Sequence, residues 1–297
     1  MIGAIAGDII GSVYEYHPIK TEAFPLFGEG SSFTDDTVLT AATADALLQG
    51  AGFGESYQSW GLRYPERSYG SVFRQWVQSG DLAPYGSWGN GAAMRSGPVG
   101  FSAKSLDQAL MVAKRSAEAT HDHPEGILGA QAVAGSVYLA RSGASKDEVR
   151  AFLVSRVGYD LGKSLAEIRP RYRFDATARG SVPQALTAFL ESTGYEDAVR
   201  KAVSLGGDSD TLACIAGAVA EAFYGGVPEA IWNRALGCLT CELGAVVVRF
   251  YERFQLPHCW GETRAPLPAP PTRTTTAPSP RNRPRRRDLS PVAAGWS

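Results

Sequence analysis

The chain is poor in cysteine, with four unevenly spaced among its 297 residues. That is too few for a disulfide framework and points to a reducing compartment, the cytoplasm. No uncharged apolar run reaches about 18 residues, which excludes an ordinary membrane span and any membrane partner that needs one. The opening residues lack a basic n-region, and Asp8 interrupts them at once, so they do not read as a signal peptide. Alternating β patterns are scarce, which argues against a sheet-based fold. What remains is 44% apolar and 20% charged residues, the composition of a soluble globular protein. Such a chain buries a full core without covalent staples, and a monomer is sufficient.

Charge is distributed unevenly. Residues 262–297 hold eight prolines, seven arginines and two acids, for a formal charge of +5. The preceding 261 residues carry −6. Residues 1–261 are therefore expected to form the folded domain and 262–297 a disordered Pro/Arg-rich tail, whose composition cannot offset chain entropy. A basic tail suits nucleic acid or an acidic partner, or is simply solvated.

The domain reads as all-α. Helical spacing of apolar residues predicts helices over 37–49, 106–119, 125–141, 185–190, 195–204, 211–224 and 235–254. Ser181 fits an N-cap with Pro183 in the first turn. Val246-Val247-Val248 has strand character alone, but the spacing around it is helical.

Carboxylates gather in three short segments beside glycines and threonines: Gly7-Asp8 through Tyr14-Glu15, Thr34-Asp35-Asp36-Thr37, and Gly206-Gly207-Asp208-Ser209-Asp210-Thr211. One Asp at a helix start is an N-cap. Two acids plus hydroxyls at each of two helix starts exceed that need. Carboxylate and threonine oxygens are hard ligands that suit Mg²⁺, Mn²⁺ or Ca²⁺. If Asp8, Glu15, Asp35, Asp36, Asp208 and Asp210 meet in space, their repulsion calls for cations, and two divalent ions offset most of it.

With these motifs the chain resembles the ADP-ribosylglycohydrolase family. The two acidic motifs stand in that family's order, each followed by a helix. The resemblance implies a compact many-helix bundle with a binuclear Mg²⁺ or Mn²⁺ centre. It implies Thr34, Asp35, Asp36, Asp208, Asp210 and Thr211 as metal ligands, all intact in type here. Gly86-Ser87-Trp88-Gly89-Asn90-Gly91-Ala92-Ala93-Met94-Arg95 resembles the family's phosphate-ribose loop, where small residues let backbone N–H groups approach a diphosphate, and Gly86 to Gly91 would hold it. His121, in Thr120-His121, would contact ADP-ribose. Gly7-Asp8-x-x-Gly11-Ser12-x-Tyr14-Glu15-x-His17 is closer to the ADP-ribosyl-serine hydrolase branch, in which the equivalent Glu sits on a mobile flap.

Other patterns carry less. Cys238-x-x-Cys241 with His258 and Cys259 has a superficial zinc spacing, but adjacent ligands are awkward for a tetrahedral site, and buried thiols are the simpler reading. No Ser-His-Asp order presents itself. The function expected is a metal-dependent hydrolase that releases ADP-ribose from a modified protein, nucleic acid or small molecule, with Asp36 or Glu15 as the base. O-linked serine is favoured. The alternatives are arginine-linked ADP-ribose, O-acetyl-ADP-ribose, and a non-catalytic ADP-ribose-binding or immunity module.

Overall fold

The computed structural model describes residues 1–258. The expected tail over 262–297, and Cys259, lie outside the described residues. Fifteen α-helices follow one another: α1 (Ile2–Glu15), α2 (Asp35–Gln49), α3 (Phe53–Arg63), α4 (Ser71–Ser79), α5 (Gly91–Met94), α6 (Gly97–Ser102), α7 (Leu106–Glu118), α8 (Pro124–Arg141), α9 (Lys146–Phe152), α10 (Leu165–Ile168), α11 (Ala178–Leu190), α12 (Tyr195–Val203), α13 (Ser209–Tyr224), α14 (Glu229–Gly237) and α15 (Cys241–Phe254). A π-helical turn, Leu153–Val157, extends α9. Among the described residues there is no β-strand, only an isolated antiparallel bridge between Gly89 and Thr177. The all-α expectation holds. Among the same residues no helix is long and apolar enough to cross a membrane.

The centre is a pair of helices with little polarity on any side. In α1 the run from Ile2 to Gly11 is buried, and in α13 the run from Ser209 to Ala222. A helix buried all round needs neighbours all round. Here α2, α8, α11 and α12 pack on α13, and α2, α12 and α14 on α1.

The two central helices touch backbone to backbone. Gly3, Gly7 and Gly11, at a four-residue interval on α1, form the contact face. A Cβ at Gly3 would lie 2.6 Å from the Gly217 carbonyl oxygen, and one at Gly7 or Gly11 would collide with the carbonyls of Ala213 or Ser209. The seam is fastened at its outer end. Tyr195 donates its hydroxyl to the Gly3 carbonyl at 2.7 Å, and the buried Glu221 carboxylate accepts the Gly3 N–H at 2.8 Å and the Tyr251 hydroxyl.

Two helix expectations need correction. The N-cap of α11 is Thr177, whose side chain accepts from the Gly180 N–H, so Ser181 and Pro183 lie inside the helix. Pro183 has no N–H for the Arg179 carbonyl, so the helix forgoes that rung at the exposed Arg179 of its first turn. The expected helix over 235–254 is two helices. α14 stops at Gly237, and Thr240 caps α15 by accepting from the Leu243 N–H. Cys238 and Cys241 therefore sit on different elements, half-buried and exposed, rather than as buried thiols on one helix.

The seam makes a direct prediction. Gly7→Ala inserts a methyl where only backbone fits and should lower stability by about 3 kcal/mol in urea unfolding. Gly244→Ala, in α15 with open space around its Cα, should instead stabilise by up to about 1 kcal/mol. Equal effects at both positions would show that the helix contact is not tight.

Candidate active site

The acidic clusters converge. The inner end of the seam sets the C-terminal half of α1, which carries Asp8 and Glu15, beside the N-terminus of α13, which carries Asp208 and Asp210. α2 enters the same place with its own N-terminus, capped by Thr34 and carrying Asp35 and Asp36 in its first turn. Carboxylate oxygens of Asp8, Asp36 and Asp210 lie within 4.8 Å of one another, and so do those of Glu15, Asp208 and Asp210. Asp210 is common to both groups.

Asp8 acts as a clamp. Its Oδ1 accepts the Thr34 hydroxyl at 2.7 Å, and its Oδ2 accepts the backbone N–H groups of Thr34 at 3.0 Å and Thr37 at 3.1 Å. The Thr37 hydroxyl donates to Oδ2 as well. Four donors on one carboxylate tie the first turn of α2 to α1. Asp36 Oδ2 accepts the Thr211 hydroxyl at 3.2 Å. Asp208 accepts the Asn90 side-chain amide at 2.7 Å. The Asp210 carboxylate accepts the Thr211 N–H at 3.0 Å.

The electrostatics are those of a crowded anionic site. Burial pushes Asp8 up to about 6 and Glu15 up to about 7, with the Asp208 charge adding to the latter. Asp35, Asp36 and Asp210 are driven well above the usual carboxylate range by burial first and then by neighbouring carboxylates, Asp8 foremost for Asp35 and Asp36 and Asp208 for Asp210. Asp208 is raised by burial, against the hydrogen bonds it receives. The residues fit a divalent cation on two grounds. Asp36 Oδ1 is buried with no hydrogen-bond partner, and every converging donor is a hard oxygen.

A cavity of about 360 Å³ opens from this cluster. Glu15, Asp35, Asp36, Asp208, Asp210 and Thr211 line it, together with Ser87, Gly89, Asn90, Gly91 and His121. Gly86 and Trp88 are not in its wall. Gly86 donates its N–H to Asp122 at 2.8 Å, and Trp88, 57% exposed, meets His123 edge-on at 5.7 Å. The loop is held by backbone on both sides. Ser87 N–H reaches the Thr120 carbonyl at 3.4 Å, Asn90 N–H the Ala176 carbonyl at 2.9 Å, and the Trp88 carbonyl accepts the Ala178 N–H at 2.9 Å. His121 is buried beside Thr120, whereas His123 is the N-cap of α8, its Nδ1 accepting the Glu125 N–H.

Some of this arrangement lies beyond a reading of motifs. Asn90 sits in the expected loop, but its amide serves Asp208. Arg95, four residues after Gly91, is completely buried. Phe174, 57% exposed, and Tyr85 add aromatic surface to the cavity. The loop motif contains both Asn90 and Arg95 but gives no sign of their partners, and no local signal marks Phe174.

Known proteins share this plan. A family model described as ADP-ribosylglycohydrolase matches residues 1–258. The ADP-ribosylhydrolase ARH3 of Mus musculus is 27% identical over an alignment covering 79% of this chain and 85% of its own length. The ADP-ribosylarginine hydrolase Tri1 of Pseudomonas putida (strain GB-1) is 26% identical, covering 82% of this chain and 76% of its own. A solved structure described as an ADP-ribosylglycohydrolase-related protein complex superposes with a TM-score of 0.65 at 27% identity, covering 84% of this chain and 94% of that one. With a glycine-bound helix pair, paired acidic helix starts and a matching model across the whole described domain, the chain belongs to the ADP-ribosylglycohydrolase family of hydrolases.

Proposed function

We propose that residues 1–261 form the catalytic domain of a divalent-metal-dependent hydrolase. It releases ADP-ribose from O-linked acceptors, with serine the leading acceptor. The observation that carries this reading is the convergence of Glu15, Asp36, Asp208 and Asp210 in a cavity that the glycine loop also lines.

Thr34, Asp35, Asp36, Asp208, Asp210 and Thr211 would hold two Mg²⁺ or Mn²⁺ ions, with Glu15 close enough to join them. Bound there, the ions would supply positive charge that polarises the ribose hydroxyls and acidifies an attacking water. Asp8 keeps Thr34 and the α2 N-terminus in place, and Asn90 orients Asp208. Glu15 is half-buried in the last turn of α1, where the chain turns outward through the exposed Tyr16. Its carboxyl, lifted to about 7, suits a base that takes a proton from water near neutral pH. Asp36 is the other candidate base, through its unpartnered Oδ1. The 86–91 loop and His121 would bind the diphosphate, with the N–H groups of Trp88 and Gly91 as the loop donors not already taken up by Asp122, Thr120, Ser87 and Ala176. A serine alkoxide needs protonation as it leaves, and the proton that Glu15 takes from water would be the one returned to it. Arginine-linked ADP-ribose is the second reading, supported by the similarity to Tri1.

Asp210→Ala, which removes the carboxylate shared by both groups, should abolish turnover of an ADP-ribosyl peptide, as should chelation of the wild type. Full activity in either case would remove the metal from the reading.

A second expectation concerns proton linkage. A carboxyl whose folded pKa is raised lends stability that is complete below its unfolded value, near 4, and lost as pH rises through the folded value. Asp8 and Glu15 place that loss between about pH 4 and 7 in metal-free protein. Cations relieve it, so the Mg²⁺-induced gain in Tm should grow steadily across this window and shrink in Asp210→Ala. A gain independent of pH would place Mg²⁺ binding elsewhere.

For linkage, parallel assays on serine-linked and arginine-linked ADP-ribosyl peptides should give faster release from serine, and Glu15→Gln should lose most of that rate. Faster release from arginine, or unchanged serine turnover in Glu15→Gln, would overturn the assignment.

A further inference from the structure

Arg95 is a cation with no exposed surface and no carboxylate beside it. Its guanidinium stacks 3.7 Å from the centre of the Tyr57 ring, while Nε and Nη1 find no hydrogen-bond partner. Burying an arginine in this way is costly, and an apolar side chain of similar volume would avoid the cost. What Arg95 does reach is polar. Nη2 donates to the Thr120 hydroxyl oxygen at 2.7 Å and to the Ser116 carbonyl at 3.3 Å. The same Thr120 oxygen lies 2.8 Å from His121 Nδ1.

We propose that Arg95 and Thr120 are positioning residues that fix the His121 proton on Nε2, presenting a neutral N–H donor to an anionic ligand oxygen at the 86–91 loop. The ligand part rests on the ADP-ribose reading above; the proton placement does not.

The argument is one of donors and acceptors. A guanidinium only donates, so Thr120 Oγ1 accepts from Arg95. Thr120 is completely buried, and of Arg95 and His121 only His121 Nδ1 can accept the hydroxyl proton. That proton therefore goes to His121 Nδ1. An imidazole that accepts at Nδ1 and is neutral carries its proton on Nε2. Neutrality follows from burial first and the Arg95 charge second, which together hold His121 well below the ordinary histidine value. Nε2 faces the loop: a Cβ at Gly91 would lie 3.1 Å from it and one at Gly89 3.6 Å. In the opposite tautomer a lone pair would face the loop and repel an anion there.

The test is the protonation pattern of the ring in ¹⁵N-labelled, metal-free and ligand-free protein, by long-range ¹H–¹⁵N correlation, with His121 assigned from His121→Gln. Wild type and Thr120→Ser should show a protonated Nε2 and a bare Nδ1. Thr120→Val should lose that preference, and its Kd for ADP-ribose by calorimetry should rise about tenfold, the scale of one charge-assisted hydrogen bond. Thr120→Ser should restore the affinity to within about twofold. A proton on Nδ1 in the wild type, or a Thr120→Val ring and affinity like the wild type's, overturns the proposal. The wild-type spectrum decides it even if the valine variant does not fold. Loss of the hydrolase reading leaves that spectrum unchanged, and loss of this one leaves the hydrolase intact.

Discussion

The contact between α1 and α13 is the constraint on which the rest of the molecule depends. Three glycines on one face of α1 bring its backbone against that of α13 with no side chains between. At that separation carboxylates at the end of one helix and the start of the other share a site. A wider spacing, as ordinary side chains impose, would hold the same acids apart as independent caps. The burial of both helices follows from the same contact, because a pair this close and this apolar must be surrounded. The neighbours that surround it include α2, which supplies the remaining acids.

Such an arrangement works against itself electrostatically. Converging carboxylates repel, and burial deprives them of water. The fold answers locally with directed donors: four on Asp8, the Asn90 amide on Asp208, the Thr211 hydroxyl on Asp36. These hydrogen bonds orient oxygen atoms without neutralising them. Asp8 is effectively saturated and holds the others in place. Asp36 keeps one oxygen bare. That division of labour, one acid to organise and its neighbours to coordinate, explains why the number of acids exceeds the number expected to touch a cation.

Much of the fold was legible in the sequence, because amphipathic stretches such as those of α7 and α12 carry their period openly. The acidic motifs were legible for a similar reason: residue type and position before a helix are both local. Features that depend on distant partners were not. Asn90 meets Asp208 across 118 residues, and no spacing in the chain encodes it. The break between α14 and α15 was hidden because the apolar period runs through it, and only the Thr240 cap ends one helix and starts another. Pro183 drew the start of α11 too far along, since a proline at a helix entrance is commoner than one within a helix.

The bridge between Gly89 and Thr177 has a consequence for binding thermodynamics. With its flanking hydrogen bonds to Thr120, Ala176 and Ala178, it fastens the glycine loop to two other parts of the chain before any ligand arrives. Glycine-rich segments lose more conformational entropy on ordering than others. In this protein that loss falls on folding, so a ligand entering the cavity meets a loop already ordered and gives up little of its affinity to ordering it.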